Sequence, residues 1–296
     1  MENKVKITIL ILVILFALSW IAASLFNTGS FGNVARIQVN GVIMPESAGI
    51  FGAETASSSE IVGLIEQANK DSGIKAILLE INSPGGAPVA SAEIADAVKK
   101  SNKTVVALIR DSGTSGAYWV ASAAYKIVAN PLSIVGSIGV TGSYLEYSGL
   151  LERFNITYER LVSGEYKDIG TPYKEMTDNE RQSLQNTLDL MHEYFIQSVA
   201  ENRNMSIESV RKLANGNIYL GMEASKNGLV DFLGGKEVAE EVVKERENIT
   251  EIDYVNYESK KSIFDIFSQM MDSVGFYFGK GFSNGLVQQG NANPKI

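Results

Sequence analysis

The chain has 296 residues, a formal net charge of -8 and no cysteine, so it is long enough for one large domain or two modest ones. The acidic balance argues against nucleic acid as a partner, and the missing cysteine excludes disulfides, thiol nucleophiles and thiolate metal sites. Because His192 is the single histidine, multi-histidine metal sites are excluded, and a Ser-His-Asp mechanism would have to use that residue.

The first feature along the chain is an uncharged apolar run from Ile7 to Phe26. About 20 residues form a helix of roughly 30 Å, which matches the hydrocarbon core of a bilayer. Lys4 and Lys6 precede the run, so the positive-inside rule places the N-terminus in the cytoplasm. Residues 1–30 are therefore predicted to be a cytoplasmic tip and a single transmembrane anchor in the cell membrane, followed by an extracytoplasmic domain. A cleaved signal peptide is the alternative.

Strands and helices alternate after the anchor. A capping-box spacing at Ser57 and Glu60 predicts a helix start, and apolar residues behind Gly86 predict a second helix. Predicted strands flank these helices, over Arg36–Ile43, Lys75–Ile81 and Thr104–Ile109. This order implies parallel strands joined by helical crossovers, and thus an α/β domain over residues 31–259.

A serine-containing corner, Asp111–Ser122, directly follows the third predicted strand. The chain turns on Gly113 and enters a segment of small residues that predicts a helix from about Ser115. A serine at such a corner projects its hydroxyl from the sheet, beside the free N–H groups of the first helical turn. Ser115 is therefore a candidate nucleophile. The alternative is that Ser112, Thr114 and Ser115 are ordinary turn and N-cap residues.

A second turn, Pro84-Gly85-Gly86, ends the preceding strand. Open α/β sheets bind their ligands at the carboxyl ends of strands, and glycine lets a backbone N–H approach a substrate oxygen closely. Side by side, this turn and the Ser115 corner could direct two N–H groups at one point beside a hydroxyl. That is the requirement for an oxyanion hole.

The second half of the domain is predicted in less detail. Short strands are predicted over Ile134–Val140 and Ile156–Val162, with a short helix over Leu150–Phe154 between them. A second capping box, Thr177 to Glu180, predicts a long helix to about Asn202, on which we interpret His192 as structural. Residues 260–296 are predicted to be an apolar C-terminal segment and a flexible tail.

An irregular polar stretch, Ser163 to Pro172, contains the candidate general base. With thiols excluded and His192 poorly placed, the base for a serine nucleophile must be a carboxylate or a lysine amine. An ordinary lysine has a pKa of about 10.4, so a basic lysine has to be desolvated. Lys167 has the best context for this role.

Several segments together resemble the signal peptide peptidase A (protease IV) family of membrane-anchored Ser-Lys proteases. They occur in the family's order, at Asn82–Gly86, Ser115–Trp119, Gly136–Val140, Ser163–Ile169 and Gly228–Asp231. The resemblance implies a fold similar to that of the ClpP protease and the crotonases, built from repeated β-β-α units.

The resemblance also implies roles for individual residues. Ser115 corresponds to the nucleophile, Lys167 to the general base and Ser137 to the serine that hydrogen-bonds the lysine. The oxyanion hole corresponds to the N–H of Gly116 and to one N–H of the Pro-Gly-Gly turn, Gly86 before Gly85. The sequence departs from the family pattern at two positions, because Thr114 replaces the usual alanine and Ala117 the usual second glycine.

The implied function is a serine endopeptidase that degrades signal peptide remnants and needs neither metal nor cofactor. Its implied partners are hydrophobic membrane-associated peptides, the lipid bilayer and further copies of the chain in a ring-like homo-oligomer. Alternatives are a Ser-Lys protease that cleaves a specific membrane protein and a non-catalytic membrane scaffold. A crotonase-like acyl-CoA enzyme is disfavoured, because an extracytoplasmic domain would be separated from its cofactor.

Overall fold

The computed structural model of the chain describes residues 12–19, 32–46 and 55–258. Residues 12–19 are helical, but most of the predicted anchor, residues 7–26, lies outside the described residues. The C-terminal segment predicted over 260–296 also lies outside them. Within the described ranges, no helix has both the length and the apolar character needed to cross a bilayer.

After residue 32, the described residues form ten strands and eight helices. The strands β1 to β10 are Val34–Asn40, Val42–Met44, Thr55–Ser57, Ala76–Ser83, Thr104–Thr114, Lys126–Ala129, Ile134–Gly136, Ile218–Leu220, Phe232–Leu233 and Tyr254–Tyr257. The helices α1 to α8 are Ser58–Lys70, Pro88–Lys100, Gly116–Ser122, Ser148–Arg153, Asp178–Arg203, Ile207–Leu213, Gly221–Lys226 and Lys236–Glu247.

Eight of these strands form one sheet, in which the order of the main path is β10-β1-β4-β5-β6-β9. All pairs along this path are parallel, β7 pairs with the end of β5, and β8 pairs antiparallel with β7. Strands β2 and β3 form a separate parallel pair. The prediction of an α/β domain with parallel strands is confirmed.

Apolar side chains cover both faces of the central strands, as a parallel sheet requires. Leu79 and Ile109 belong to a large cluster that includes residues of α1, α2, α3 and α5. Leu78 and Leu108 alternate with them and belong to a smaller cluster with Val242 of α8. Strands β4 and β5 are therefore buried from both sides, which holds their carboxyl ends in fixed positions.

Both predicted capping signals are confirmed. Before α1, the Ser57 hydroxyl accepts a hydrogen bond from the Glu60 N–H. Before α5, Thr177 and Glu180 form a reciprocal capping box, in which the Glu180 carboxylate also accepts from the Thr177 N–H at 2.9 Å. These two caps fix where the helices begin and therefore which of their faces are buried.

The structure differs from the sequence predictions in the segment between β7 and α5. The strand predicted over Ile156–Val162 is wrong: these residues are exposed, and no described strand pairs with them. Strand β7 also ends at Gly136 instead of Val140. The positive φ angles of Gly136 (93°) and Ser137 (51°) explain this, because they interrupt extended backbone.

Residues 141–175, which we call the arm, are mostly exposed and contain α4. The two ends of the arm are joined by the Tyr147 N–H, which donates to the Pro172 carbonyl at 3.0 Å, and by an edge-on contact between the rings of Tyr147 and Tyr173. Large apolar side chains remain exposed on it, including Leu145 (83%) and Leu161 (94%). Exposed apolar side chains at this density are typical of interaction surfaces.

Candidate active site

Ser115 lies at the corner between β5 and α3 and has an unusual backbone conformation. Its φ of 53° and ψ of -128° are uncommon for a residue with a side chain. Two hydrogen bonds hold it: the Ser115 N–H donates to the Gly136 carbonyl at 2.8 Å, and the Trp119 N–H donates to the Ser115 carbonyl at 3.1 Å. Strained strand-to-helix turns of this kind present nucleophilic serines in hydrolases.

The Gly85-Gly86 turn packs directly against this corner. A Cβ atom added to Gly85 would lie 2.7 Å from the Gly116 nitrogen and 2.8 Å from the Ser115 Cβ, and the φ of Gly85 is 93°. A side chain at this position would therefore push the two turns apart. Strand β2 supports the turn from the other side, because the Ile43 N–H donates to the Gly85 carbonyl and the Ile43 carbonyl accepts from Ala87.

Two backbone N–H groups face the space beside the Ser115 hydroxyl. Gly116 is the first residue of α3, so its N–H has no intrahelical partner. In the bridge to Ile43, the bonds come from the residues on either side of Gly86, so the N–H of Gly86 points away from Ile43. The Gly86 nitrogen is 3.4 Å from where a Gly116 Cβ would lie, so the two donors are close neighbours.

An apolar cavity of about 440 Å³ opens beside Ser115. Its walls come from α2, α3 and α5, and no charged side chain lines it. The Trp119 and Phe195 rings are stacked in the wall, with centroids 4.7 Å apart and planes inclined by 15°. The main apolar lining residues are Val89, Ala92, Trp119, Leu190, Met191, Tyr194 and Phe195. Such a cavity suits an uncharged apolar side chain.

The cavity wall on α5 is the part of the site that the sequence prediction missed. Four residues of this helix, Leu190, Met191, Tyr194 and Phe195, line the cavity. The sequence signal for this wall is the presence of Leu190 and Tyr194, which make this part of α5 apolar over a wider face than its contact with the core requires. Both side chains are exposed in the structure.

Ser137 is close to the Ser115 corner because the preceding residue, Gly136, is hydrogen-bonded to Ser115. Gly136 accepts the hydrogen bond from the Ser115 N–H, and Ser137 follows it with a positive φ of 51°. The Ser137 N–H donates to the Asn217 carbonyl at 2.7 Å, which fixes the residue against β8. The structure therefore brings Ser115, Gly116, Gly85 and Gly86 together, and Ser137 is next to Gly136, the residue that bonds the Ser115 N–H.

Lys167 is in a different environment. It lies in a turn of the arm, where its N–H donates to the Gly164 carbonyl at 3.2 Å, and its side chain is exposed. Within the described residues, the Lys167 ammonium group forms no hydrogen bond or ion pair, and Lys167 does not line the cavity. Its neighbour Asp168 accepts two hydrogen bonds from Arg160, which hold the pKa of that carboxyl below its ordinary value.

His192 does not replace Lys167 as a base. It lies on α5 without lining the cavity, and its buried Nε2 atom has no hydrogen-bond partner among the described residues. The adjacent carboxylate of Glu193 is bound to Arg211, so it does not orient the imidazole. The arrangement supports the interpretation of His192 as a structural residue.

A serine, two N–H groups without a hydrogen-bond partner among the described residues and an apolar cavity lie at the carboxyl ends of parallel strands, which is the arrangement of an α/β hydrolytic enzyme. Comparisons with known proteins define the class further. The model of peptidase family S49 matches residues 97–250. This chain therefore belongs to peptidase family S49, the family of signal peptide peptidase A and protease 4, as the resemblance predicted.

Individual relatives agree with this family. A protein of Methanocaldococcus jannaschii named as a protease is 33% identical over an alignment of 311 positions including gaps, which covers 99% of this chain and 98% of that protein. A protein of Enterococcus faecium named as signal peptide peptidase SppA is 33% identical, over 78% of this chain and 68% of that protein. Protease 4 of Salmonella typhi is 31% identical, over 82% of this chain and 39% of that protein.

Proposed function

We propose that the chain is a serine endopeptidase with a Ser-Lys dyad, in which Ser115 is the nucleophile and Lys167 the general base. The observation that carries the proposal is the position of Ser115 at a strained corner, between the free N–H groups of Gly116 and Gly86 and beside an apolar cavity. Membership of a peptidase family supports the same reaction.

The proposed reaction has two stages. An uncharged Lys167 amine takes the proton from the Ser115 hydroxyl, the Oγ atom attacks the peptide carbonyl carbon, and the lysine ammonium then protonates the departing amine. The Gly116 and Gly86 N–H groups stabilise the oxyanion of the tetrahedral intermediate, for which one donor is typically worth about 10² to 10³ in rate. Water activated by Lys167 hydrolyses the acyl-enzyme.

Ser137 is proposed to orient the lysine. Its hydroxyl would accept a hydrogen bond from the Lys167 Nζ atom and so direct the lone pair of the amine towards Ser115. The bond between Ser115 and Gly136 supports this role, since it ties the residue before Ser137 to the nucleophile.

The dyad requires a change in the surroundings of Lys167, because its side chain is exposed and a basic amine has to be desolvated. We propose that copies of the chain associate in a ring-like homo-oligomer and cover the arm, which would desolvate Lys167. The exposed apolar side chains of the arm, such as Leu145 and Leu161, support this proposal.

The proposed substrates are apolar peptides, in particular signal peptide remnants. The uncharged lining of the cavity favours an apolar side chain next to the cleaved bond. The name of the Enterococcus faecium relative, signal peptide peptidase, supports the same class of substrate.

The proposed location is the cell membrane, with the N-terminus in the cytoplasm and the catalytic domain outside. The support is the uncharged run from Ile7 to Phe26 behind Lys4 and Lys6. Because the chain has no cysteine, the topology can be tested with single cysteines at Asn3 and at Lys226. In intact cells a membrane-impermeant maleimide should label the cysteine at position 226 alone, and labelling at position 3 alone would reverse the topology.

The central experiment is labelling with a fluorophosphonate, followed by mass spectrometry of the adduct. The adduct is expected on Ser115, and Ser115→Ala and Lys167→Ala should each abolish peptide cleavage, while Ser183→Ala on the exposed side of α5 should keep full activity. An adduct on Ser112, or unchanged cleavage by Ser115→Ala, would contradict the proposal. Full biological function of both inactive variants would instead support the non-catalytic scaffold.

A mixing experiment tests the contribution of the homo-oligomer. If association places Lys167 of one copy beside Ser115 of another, oligomers reassembled from Ser115→Ala and Lys167→Ala chains should regain part of the wild-type activity. Each variant alone should remain inactive. No recovery in mixed oligomers would show that the two residues meet within one copy.

The substrate class requires a separate comparison. Isolated signal peptides and intact single-pass membrane proteins are incubated with the detergent-solubilised enzyme, and products are identified by mass spectrometry. Signal peptides should be cleaved more efficiently. Faster and site-specific cleavage of one membrane protein would favour the alternative of a dedicated membrane-protein protease.

A further inference from the structure

The ends of β4 and β5 are connected by side chains where their backbone pairing fails. Ile81 pairs with Ile109, but the next pair is Ser83 with Gly113, so β5 carries two extra residues between these positions. Such a bulge interrupts the ladder and leaves backbone groups without their usual partners. Without another connection, the turns that follow the two strands would be free to shift relative to each other.

Four polar residues bridge this gap, and we call them the polar clamp: Asn82, Ser83, Ser112 and Thr114. The Ser112 N–H donates to the Asn82 Oδ1 atom at 3.2 Å, and the Ser112 hydroxyl donates to the Ser83 carbonyl at 3.3 Å. The Thr114 hydroxyl is 3.4 Å from that of Ser112. Side-chain oxygens thus replace the missing backbone bonds between the strands.

The clamp continues into the turn that presents the second N–H donor. The buried hydroxyl of Ser83 accepts a hydrogen bond from the Gly85 N–H at 3.1 Å. This bond holds the peptide between Pro84 and Gly85, which lies one residue before the peptide that carries the Gly86 N–H. The Gly86 N–H peptide is itself held through the Gly85 carbonyl, which accepts from the Ile43 N–H. Each donor follows its clamp residue by four positions, Gly86 after Asn82 and Gly116 after Ser112.

The Gly85-Gly86 turn and the Ser115 corner are packed too closely to allow much relative movement. Gly85 packs so closely on Ser115 and Gly116 that not even a methyl group fits between them. A small relative movement of β4 and β5 would therefore change the distance between the Gly86 and Gly116 nitrogens. Oxyanion stabilisation depends on both donors lying about 2.7 to 3.1 Å from the developing charge.

From these contacts we infer that the polar clamp positions the two oxyanion donors, and that Asn82 and Ser112 are positioning residues for the reaction at Ser115. The inference rests on the proposed function. Neither residue lines the cavity, so their effect is on the spacing of the donors and not on the binding of substrate. Thr114, which replaces the family's usual alanine, adds a hydroxyl to the clamp in this chain.

The test compares Asn82→Ala with Asn130→Ala in the full-length enzyme. Asn130 is a matched control, because its Oδ1 atom accepts the Leu132 N–H at 3.0 Å at the end of β6, away from the corner. Asn82→Ala should lower kcat and the rate of fluorophosphonate labelling by about 10- to 100-fold with KM unchanged. Asn130→Ala should cause a similar fall in Tm without this loss of rate.

A second pair of variants keeps the inference testable if Asn82→Ala fails to fold. Ser112→Ala removes the hydroxyl that bonds Ser83, whereas Ser112→Thr retains it. The alanine variant should lower kcat by about 10-fold and the threonine variant should restore most of it. Equal rates for both variants, or a loss in Asn82→Ala no larger than in Asn130→Ala, would overturn the inference. Retained cleavage by Ser115→Ala would instead contradict the proposed function itself.

Discussion

The Ser115 N–H donates to the Gly136 carbonyl at 2.8 Å, which connects the Ser115 corner to the turn that carries Ser137. Because Gly136 and Ser137 both have positive φ angles, the extended backbone of β7 ends here, and its pairing with β5 ends with it. One backbone hydrogen bond therefore sets the separation between the corner and the residue proposed to orient the lysine.

Gly136→Ala should disturb this connection. The φ of Gly136 is 93°, and an added Cβ would lie 2.8 Å from the Tyr219 ring. We expect a loss of about 1 to 3 kcal/mol in the free energy of unfolding, together with at least a 10-fold lower kcat. Gly228→Ala is the control, since its φ of 79° is similar but its Cβ would be 3.6 Å from the nearest atom. Urea unfolding and peptide cleavage measure the two effects, and an equal kcat in both variants would contradict the prediction.

Gly85→Ala should separate the two turns of the site. The added methyl group would lie 2.7 Å from the Gly116 nitrogen, which is closer than packed atoms approach. Activity should fall by at least about 100-fold, because a donor is displaced from the oxyanion. Gly63→Ala in α1, where the Cβ meets nothing within 4 Å, should keep full activity and stabilise the protein by about 0.5 to 1 kcal/mol. Wild-type cleavage by Gly85→Ala would refute the arrangement.

Met191→Glu tests the apolar cavity. A carboxylate in an uncharged wall should reduce kcat/KM for peptides with a large apolar residue before the cleaved bond by about 10-fold or more. Met222 has a similar exposure, 38% against 43% for Met191, and does not line the cavity. Met222→Glu should therefore leave kcat/KM unchanged. If both variants lose activity equally, the cavity does not bind the substrate side chain.

Asp231 makes the stability of the fold depend on pH. Burial raises the pKa of this carboxyl, but the hydrogen bond and charge of Arg203 and the Ile127 N–H outweigh burial, so its pKa lies below the ordinary value. Asp231 therefore stabilises the fold fully above its unfolded pKa of about 3.9, and this stabilisation is lost as the pH falls through the folded pKa.

Asp231→Asn should remove this dependence. We expect a loss of about 2 kcal/mol at pH 7 and a smaller difference from wild type at pH 3, measured by urea unfolding. Asp96→Asn is the control, since its ion pair with Lys100 is exposed and should contribute little at either pH. A constant difference between pH 7 and pH 3 would show that Asp231 is not the titrating group.

Local signals were sufficient for the elements that form the centre of the fold. The apolar runs of β4 and β5 are buried on both faces, and the caps at Ser57 and Thr177 begin helices where predicted. Glycines at the strand ends predicted the two turns of the candidate site, because close approach of backbone to backbone requires glycine.

Other features depend on contacts between distant segments, so the sequence alone did not predict them. The run Ile156–Val162 has residues typical of a strand, but none of the strands that the structure describes pairs with it. The pairing of Asn82 with Ser112 follows from a bulge in the register of β4 and β5, which no local pattern specifies. The roles of Ser137 and Lys167 were predicted from the resemblance, and they remain predictions.

Strand β10 pairs with β1 in the sheet, with Val34 beside Tyr254 and Ile37 beside Tyr257. The first described strand of the sheet thus obtains its outer neighbour from the last one, more than 200 residues later. During synthesis this edge of β1 stays unpaired until residues 254–257 have left the ribosome. A nascent or truncated chain that stops before them presents an open edge to other chains, and premature termination should therefore favour aggregation over a smaller working enzyme.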